Sequence, residues 1–229
     1  MDEAARQAAA GTEEGTVVIA ENQTAGRGRQ GRDWVSRQGN LYLSVVFRPS
    51  PQTLPFLTML SAVATVRAIR KTTGLEPRIK WPNDIQLGGR KVAGILVESA
   101  VQGDVVTYAI SGIGINVNLD IDKVGDIAGF ATALNAAAGR PVAREAVLRQ
   151  LLQELDSLYL QTAQGDSPLA EWRGLLETLG QRVRAYWGNE THIGQAEDVD
   201  GAGNLLLRLD DGRRITLTAG DVTLHGLEQ

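Results

Sequence analysis

Lys80–Glu98 read KWPNDIQLGGRKVAGILVE, and this stretch decides the fold. Two strand-like runs flank Gly88-Gly89, and a glycine pair between such runs marks a hairpin, because the tight turns that suit twisted strands need positive φ. The second run, KVAGILVES, is apolar on both alternating faces, which places it centrally in a sheet and not at an edge. Further strands follow on either side. GNLYLSVVFRP (Gly39 to Pro49) is rich in β-formers and stops at proline, and TVVIAE (Thr16 to Glu21) is an apolar run expected to be buried. VVTYAISGIGINVNL (Val105 to Leu119) is a strand of the same kind interrupted by Gly112 and Gly114, which suggests a bulge or a close backbone approach to a ligand.

Helical spacing separates these strands. Glu3 to Ala10 reads as a short helix. Leu54 to Thr72 carries Leu57, Leu60, Val63, Ala64 and Ile69 at near-helical intervals before a capping Gly74, so a helix here should pack across the sheet. Arg144 to Gln161 is amphipathic with one wide apolar face, and a shorter helix follows at Leu169 to Leu179. From Gly180 onward the chain turns to short β runs with a hairpin turn at Asp210-Asp211-Gly212. This predicts a small barrel and a domain boundary near residue 178.

Composition narrows the chemistry. The 229 residues carry a net charge of -4, so the whole molecule is not an electrostatic partner for nucleic acid and any basic site is local. With no cysteine, disulfides, thiolate nucleophiles and cysteine metal sites are excluded. The start, MDEAARQAAAG, lacks the basic and apolar regions of a secretion signal, and no apolar run is long enough to span a bilayer. The expectation is a soluble, cytoplasmic protein without membrane or nucleic-acid partners. Both histidines, His192 and His225, lie near the C-terminal end. Chemistry in the larger N-terminal part would therefore run on positioning and on charge stabilisation by Arg, Lys and backbone N–H groups, as in phosphoryl and nucleotidyl transfer.

Three segments could carry such chemistry. TAGRGRQGRDW (Thr24 to Trp34) interleaves glycines and arginines after a strand: glycine lets backbone N–H groups approach an anion, arginine forks onto two oxygens, and Trp34 offers a stacking face. On these residues alone, a mobile basic loop that touches RNA fits as well as an anion-closing loop. The spacing is not that of a Walker A loop. The hairpin KWPNDIQLGGRKVAGILVE gathers Lys80, Asn83, Asp84 and Lys91. Each lysine either snorkels to solvent or neutralises an anion inside, and no partner for Lys91 is evident in sequence. In GIGINVN (Gly112 to Asn118) the asparagines either read a ligand's polar edge or cap a turn.

Taken together and in this order, TAGRGRQGRDW, GNLYLSVVFRP, KWPNDIQLGGRKVAGILVE and GIGINVN resemble the catalytic domain of biotin protein ligases, and the C-terminal β segment resembles the SH3-like domain that follows it in that family. The resemblance implies an α+β fold with a central mixed β-sheet and flanking helices, related to class II synthetases and lipoate ligases. It implies a catalytic domain over 1–178 and an SH3-like β-barrel over 179–229. The implied reaction joins biotin and ATP, with Mg2+, into biotinyl-5′-AMP and passes the acyl group to one lysine of a biotin carboxyl carrier protein. A homodimer is compatible with it.

By the same resemblance Gln23, Gly26, Arg27 and Gly28 line the biotin site. Arg29 secures the adenylate, Arg32 meets the phosphates, and Trp34 stacks on adenine. Lys91 bridges the biotin carboxylate and the α-phosphate, and bulk at Gly94 would block the pocket. Asn83 and Asn116 lie near the nucleotide, with Asp84 near its metal. No helix-turn-helix precedes the first strand, which matches the monofunctional kind. One departure stands out: in the family a strand ending in Ser-Thr precedes the first helix and contacts the ureido ring, whereas this sequence starts MDEAAR, as though Met1 were the third residue of that motif.

Overall fold

The computed structural model describes residues 1–120, 124–127, 129–188, 190–218 and 220–224. His225 lies outside them. Six strands form the first sheet: β1 (Val17–Ala20), β2 (Leu41–Phe47), β3 (Arg78–Lys80), β4 (Asp84–Leu87), β5 (Arg90–Gln102) and β6 (Val105–Ile115), in the spatial order β1-β2-β6-β5-β4-β3. Every ladder between them is antiparallel. The sheet is mixed only through two single parallel bridges, Ile79 to Leu176 and Lys91 to Ala131.

The hairpin joins β4 to β5 through Gly88 (φ 56°) and Gly89 (φ 74°), and β5 runs between β6 and β4 as its apolar pattern requires. β1 departs from the sequence reading. It is an edge strand with Ile19 half exposed, because an apolar run of four residues does not distinguish a buried centre from an edge. Gly112 and Gly114 lie in regular register, and the irregularities fall elsewhere, at Ile85/Gln86 and Ala100/Val101. No bulge falls at those glycines, and their close neighbours are the side chains of Met1 and Trp34.

The two faces of the sheet are covered differently. Helices α2 (Leu57–Thr73) and α4 (Arg144–Ala163) pack with α5 (Leu169–Leu175) on the face that carries Leu43, Val45, Ala93, Ile95 and Ile113. Gly74 caps α2 at φ 76°. On the opposite face the short α1 (Asp2–Ala9) sets Ala4 and Ala8 against Val46 and Ile110, and covers only one end of the strands. The glycine-bearing end of that face is covered by no helix, only by the side chains of Met1 and Trp34. A five-residue helix, α3 (Leu134–Ala138), lacks any periodic signal long enough to read in sequence.

The second sheet holds β7 (Arg182–Trp187), β8 (Glu190–Val199), β9 (Leu205–Leu209), β10 (Arg214–Leu217) and β11 (Asp221–Leu224), all antiparallel in the order β10-β9-β8-β7-β11. Its end strands β10 and β11 make no ladder with each other among the described residues. Trp81 fastens it to the first sheet: the backbone N–H donates to the Thr178 hydroxyl at 2.9 Å and the indole N–H to the Gly203 carbonyl at 2.9 Å. Val183, Ala196, Leu205 and Leu207 belong to the same apolar cluster as Leu60 and Ile79, so the two sheets share one continuous core.

Candidate active site

A strand presents alternate side chains to opposite faces, and three residues of the open face are glycine. Gly94 of β5 stands directly opposite Gly114 of β6, and Gly112 lies two residues along β6 on the same face, opposite Ser44 of β2. Without side chains there, the backbone itself becomes the floor of a cavity of about 250 Å³. Around it stand Gln23, Arg27, Gly28, Arg29, Arg32, Trp34, Asn83, Asp84, Lys91 and Gly94, ten residues that the sequence singled out.

The roof is the glycine-arginine loop, and it is a small hairpin. Arg27 bridges Asp33, the Gly28 N–H donates to the Arg32 carbonyl at 2.7 Å, and the Trp34 N–H donates to the Gly26 carbonyl at 2.9 Å. Gly26 is required by a close approach, since a Cβ there would collide with the Trp34 carbonyl oxygen. Folding back in this way lays the Trp34 ring flat over the glycine floor. A Cβ at Gly114 would sit 2.7 Å from Trp34 Cε2, and one at Gly94 2.9 Å from Cζ3. The Trp34 indole N–H is buried with no acceptor.

Charge is concentrated at one end. Lys91 Nζ lies 2.7 Å from Asp84 Oδ1 and 5.2 Å from the Trp34 ring centroid, so the lysine has the structural partner that sequence did not reveal. Asp84 and Gly94 are paired across β4 and β5, which explains why a carboxylate seven residues upstream meets this amine. Arg29 donates to Asn83 Oδ1 at 3.2 Å, while Asn83 Nδ2 is anchored on the Ile95 carbonyl at 2.6 Å. Burial pulls the Arg29 pKa down and the carboxylates of Asp221 and Asp84 pull it back up. The guanidinium is a desolvated cation, stronger toward an anion than one in water. Arg32 reaches Asp221 of the second sheet at 2.7 Å.

Two predicted residues sit differently from the rest. The Arg27 guanidinium turns to the rim, where Asp2 of α1 holds it at 2.5 Å and Glu98 at 3.3 Å. Asn116 lies behind the pocket wall, 4% exposed, with its amide donating to the Thr132 carbonyl at 3.1 Å. Its neighbour Asn118 pairs with the backbone of Val142 through both amide atoms. Both amides hold backbone of distant loops, 16 and 24 positions along the chain, and neither caps its own turn.

The sequence reading also missed several lining residues. Met1 projects onto Gly112, its Sδ 2.6 Å from where a Cβ would be, and Tyr42, Ser44 and Phe130 complete the wall. Ser44 and Tyr42 were legible only as β-formers, since period-two alternation says that they share a face but not which face holds the ligand. Phe130 arrives through tertiary contact: the Lys91 N–H donates to its carbonyl at 2.8 Å, although 39 residues separate the two in sequence.

Known proteins share this fold. Residues 6–116 match the model of the biotin/lipoate A/B protein ligase family, and residues 178–224 match the biotin protein ligase C-terminal domain. The chain is 40% identical over 205 residues to the bifunctional ligase/repressor BirA of Bacillus spizizenii, covering 87% of this chain and 63% of that protein. It is 34% identical over 227 residues to a biotin--[acetyl-CoA-carboxylase] ligase of Mycobacterium tuberculosis, covering 95% and 82%. The biotin protein ligase of Aquifex aeolicus, solved in complex with biotin and ATP, superposes with a TM-score of 0.81 at 27% identity over 96% of this chain and 93% of that one. By its two matched segments, its relatives and its fold, the chain belongs to the biotin protein ligase family.

Proposed function

We propose that this protein is an ATP-dependent biotin protein ligase. The observation that carries the reading is the roofed glycine floor, an apolar slot closed by Trp34 that opens directly onto the Arg29, Arg32 and Lys91 cations. A ligand with a compact apolar ring and an anionic tail fits both halves. Biotin would lie along the Gly112 end of the floor, displacing the Met1 side chain that rests there, with its carboxylate toward Lys91. ATP would set its α-phosphate between Lys91 and Arg29, with adenine against the Trp34 ring.

Adenylation needs a nucleophilic carboxylate held in line with the α-phosphorus, so that its oxygen bonds phosphorus as the α–β bridge breaks and pyrophosphate leaves, while negative charge on the phosphate is neutralised; no proton transfer is required. Lys91 and Arg29 supply positive charge from two sides, and Asp84 keeps the ammonium of Lys91 oriented. The site works without a histidine. Asp84, whose carboxylate lies 2.7 Å from Lys91, would hold Mg2+ carried in on the triphosphate, and the metal would supply positive charge toward the phosphates. In the second half-reaction a neutral lysine amine of a biotin carboxyl carrier protein attacks the acyl carbon and AMP leaves, with the loop hairpin excluding water from the mixed anhydride. Residues 1–178 form the catalytic domain in this reading, 179–229 an SH3-like domain, and the setting is the cytoplasm.

ATP–pyrophosphate exchange tests the reading. Exchange that depends on biotin supports it. Exchange that needs lipoate instead, or none with any ring-bearing carboxylate, rejects it.

A further inference from the structure

One acidic side chain of the second sheet reaches the phosphate end of the site. Asp221 opens β11, and its carboxylate lies 2.7 Å from Arg32 Nη1 through one oxygen and 3.8 Å from Lys80 Nζ through the other. The three residues come from the loop hairpin, from β3 and from β11, with 189 positions between Arg32 and Asp221. Arg29, whose guanidinium lines the pocket, also feels this carboxylate. Local backbone geometry fixes Asp221 in place: the Val222 N–H donates to its Oδ1 at 3.1 Å, and Gly220 before it is so close to the Tyr186 carbonyl that no side chain fits there.

Arg29, Arg32 and Lys80 are therefore a cation cluster that shares one carboxylate from the other sheet, with Asp84 also acting on Arg29 and Glu177 on Lys80. A cluster of this composition binds phosphate oxygens. A carboxylate and a phosphoryl group compete for the same donors, since both present paired anionic oxygens to a guanidinium fork. We propose that Asp221 is an internal stand-in for the nucleotide's outer phosphates: it holds Arg32 and Lys80 until the triphosphate displaces it, so that nucleotide binding loosens β11 from the loop. The inference rests on the ATP reading above and adds a coupling between the two sheets that this reading does not require.

The coupling has a direction. Asp221 repels an incoming triphosphate and occupies its donors, so Asp221→Asn should lower the KM for ATP by about three- to fivefold, the range set by an ion pair of this exposure. The KM for biotin should stay unchanged. In the unmodified protein, addition of Mg·ATP should speed amide hydrogen exchange in residues 221–224 while slowing it in 26–34. A KM for ATP that rises in Asp221→Asn would show that the carboxylate positions the cations instead, and would overturn the proposal. So would unchanged exchange in 221–224 when ATP is bound to the unmodified chain, a measurement that stands even if the variant does not fold. Absence of any ATP binding by the unmodified chain would sink the ATP reading itself, and this inference with it.

Discussion

Gly114→Ala separates the roofed-floor geometry from a merely structural role for the glycines. Its Cβ would lie 2.7 Å from both Cε2 and Cζ2 of Trp34 and 3.0 Å from Nε1. Carbon contacts are most favourable at roughly 3.5–4.0 Å, so ring and methyl must separate by about 1 Å. The strand cannot supply that movement, because Gly114 is paired on one side with Tyr42 and on the other with Gly94. The ring can, since only the loop hairpin holds it. Alanine in a strand gains about 0.5–1 kcal/mol over glycine, which offsets part of the lost ring packing, so net stability should change by about 1 kcal/mol or less. Ligand binding has no such offset. Stacking of a base on an aromatic ring contributes roughly 1–3 kcal/mol, and displacing the ring by about 1 Å should remove most of it, a loss of about tenfold or more in ATP affinity. Isothermal titration with ATP, alongside a melting curve, measures both. In a Trp34→Ala background the same substitution should do little, because the pair would no longer couple. A folded Gly114→Ala protein with unaltered ATP affinity, or an equal loss in the Trp34→Ala background, would refute the account.

Two further outcomes follow from the charges. Lys91→Ala leaves the largely buried Asp84 without its 2.7 Å partner and should lower stability by about 1–2 kcal/mol, yet it should cut biotin-dependent pyrophosphate exchange by about a hundredfold or more per folded molecule; exchange that survives in proportion to folded protein would assign Lys91 a structural role only. Acid should weaken the clamp between α5 and β8. The bidentate hydrogen bonds from Arg173, at 2.5 and 2.9 Å, hold the Asp198 pKa below the usual carboxylate value against a small opposing effect of burial. A lowered folded-state pKa gives stability that is present above the unfolded pKa and lost as pH falls through the folded one. The pair is 53% and 38% exposed, so solvent screens it and the contribution is small. Asp198→Asn should slightly flatten the dependence of melting temperature on pH between neutral pH and acid, and a slope identical to the unmodified protein would count against the clamp.

Legibility in the sequence followed the range of each interaction. Gly88-Gly89 announced the β4–β5 hairpin because a turn is decided by the φ angles of its own residues. Gly74 announced the end of α2 for the same reason. The edge position of β1 was illegible, since burial depends on which strand pairs next to it, and four apolar residues carry no record of that. The site divides in the same way. Arg29, Lys91 and Trp34 stood out through the resemblance of their motifs, taken together and in order, to biotin protein ligases, whereas each motif alone kept an ordinary alternative. Met1, Ser44 and Phe130 did not, because each looks like an ordinary core or terminal residue until the sheet brings it to the pocket.

By itself the sequence marked most of the elements and their turns, and singled out the cations and glycines proposed here to bind a carboxylate and a nucleotide. Tertiary structure alone decided which face of the sheet is the floor, through the register that sets Gly94 opposite Gly114. It turned Arg27 to the rim and Asn116 behind the wall, and it gave Lys91 its carboxylate in Asp84. It also carried Asp221 across 189 positions to Arg32. The physical reason is common to all of these: propensity and turn geometry act over a few neighbouring residues, whereas a site's charge balance is set by which strands and sheets meet, and that is fixed only when the whole core packs.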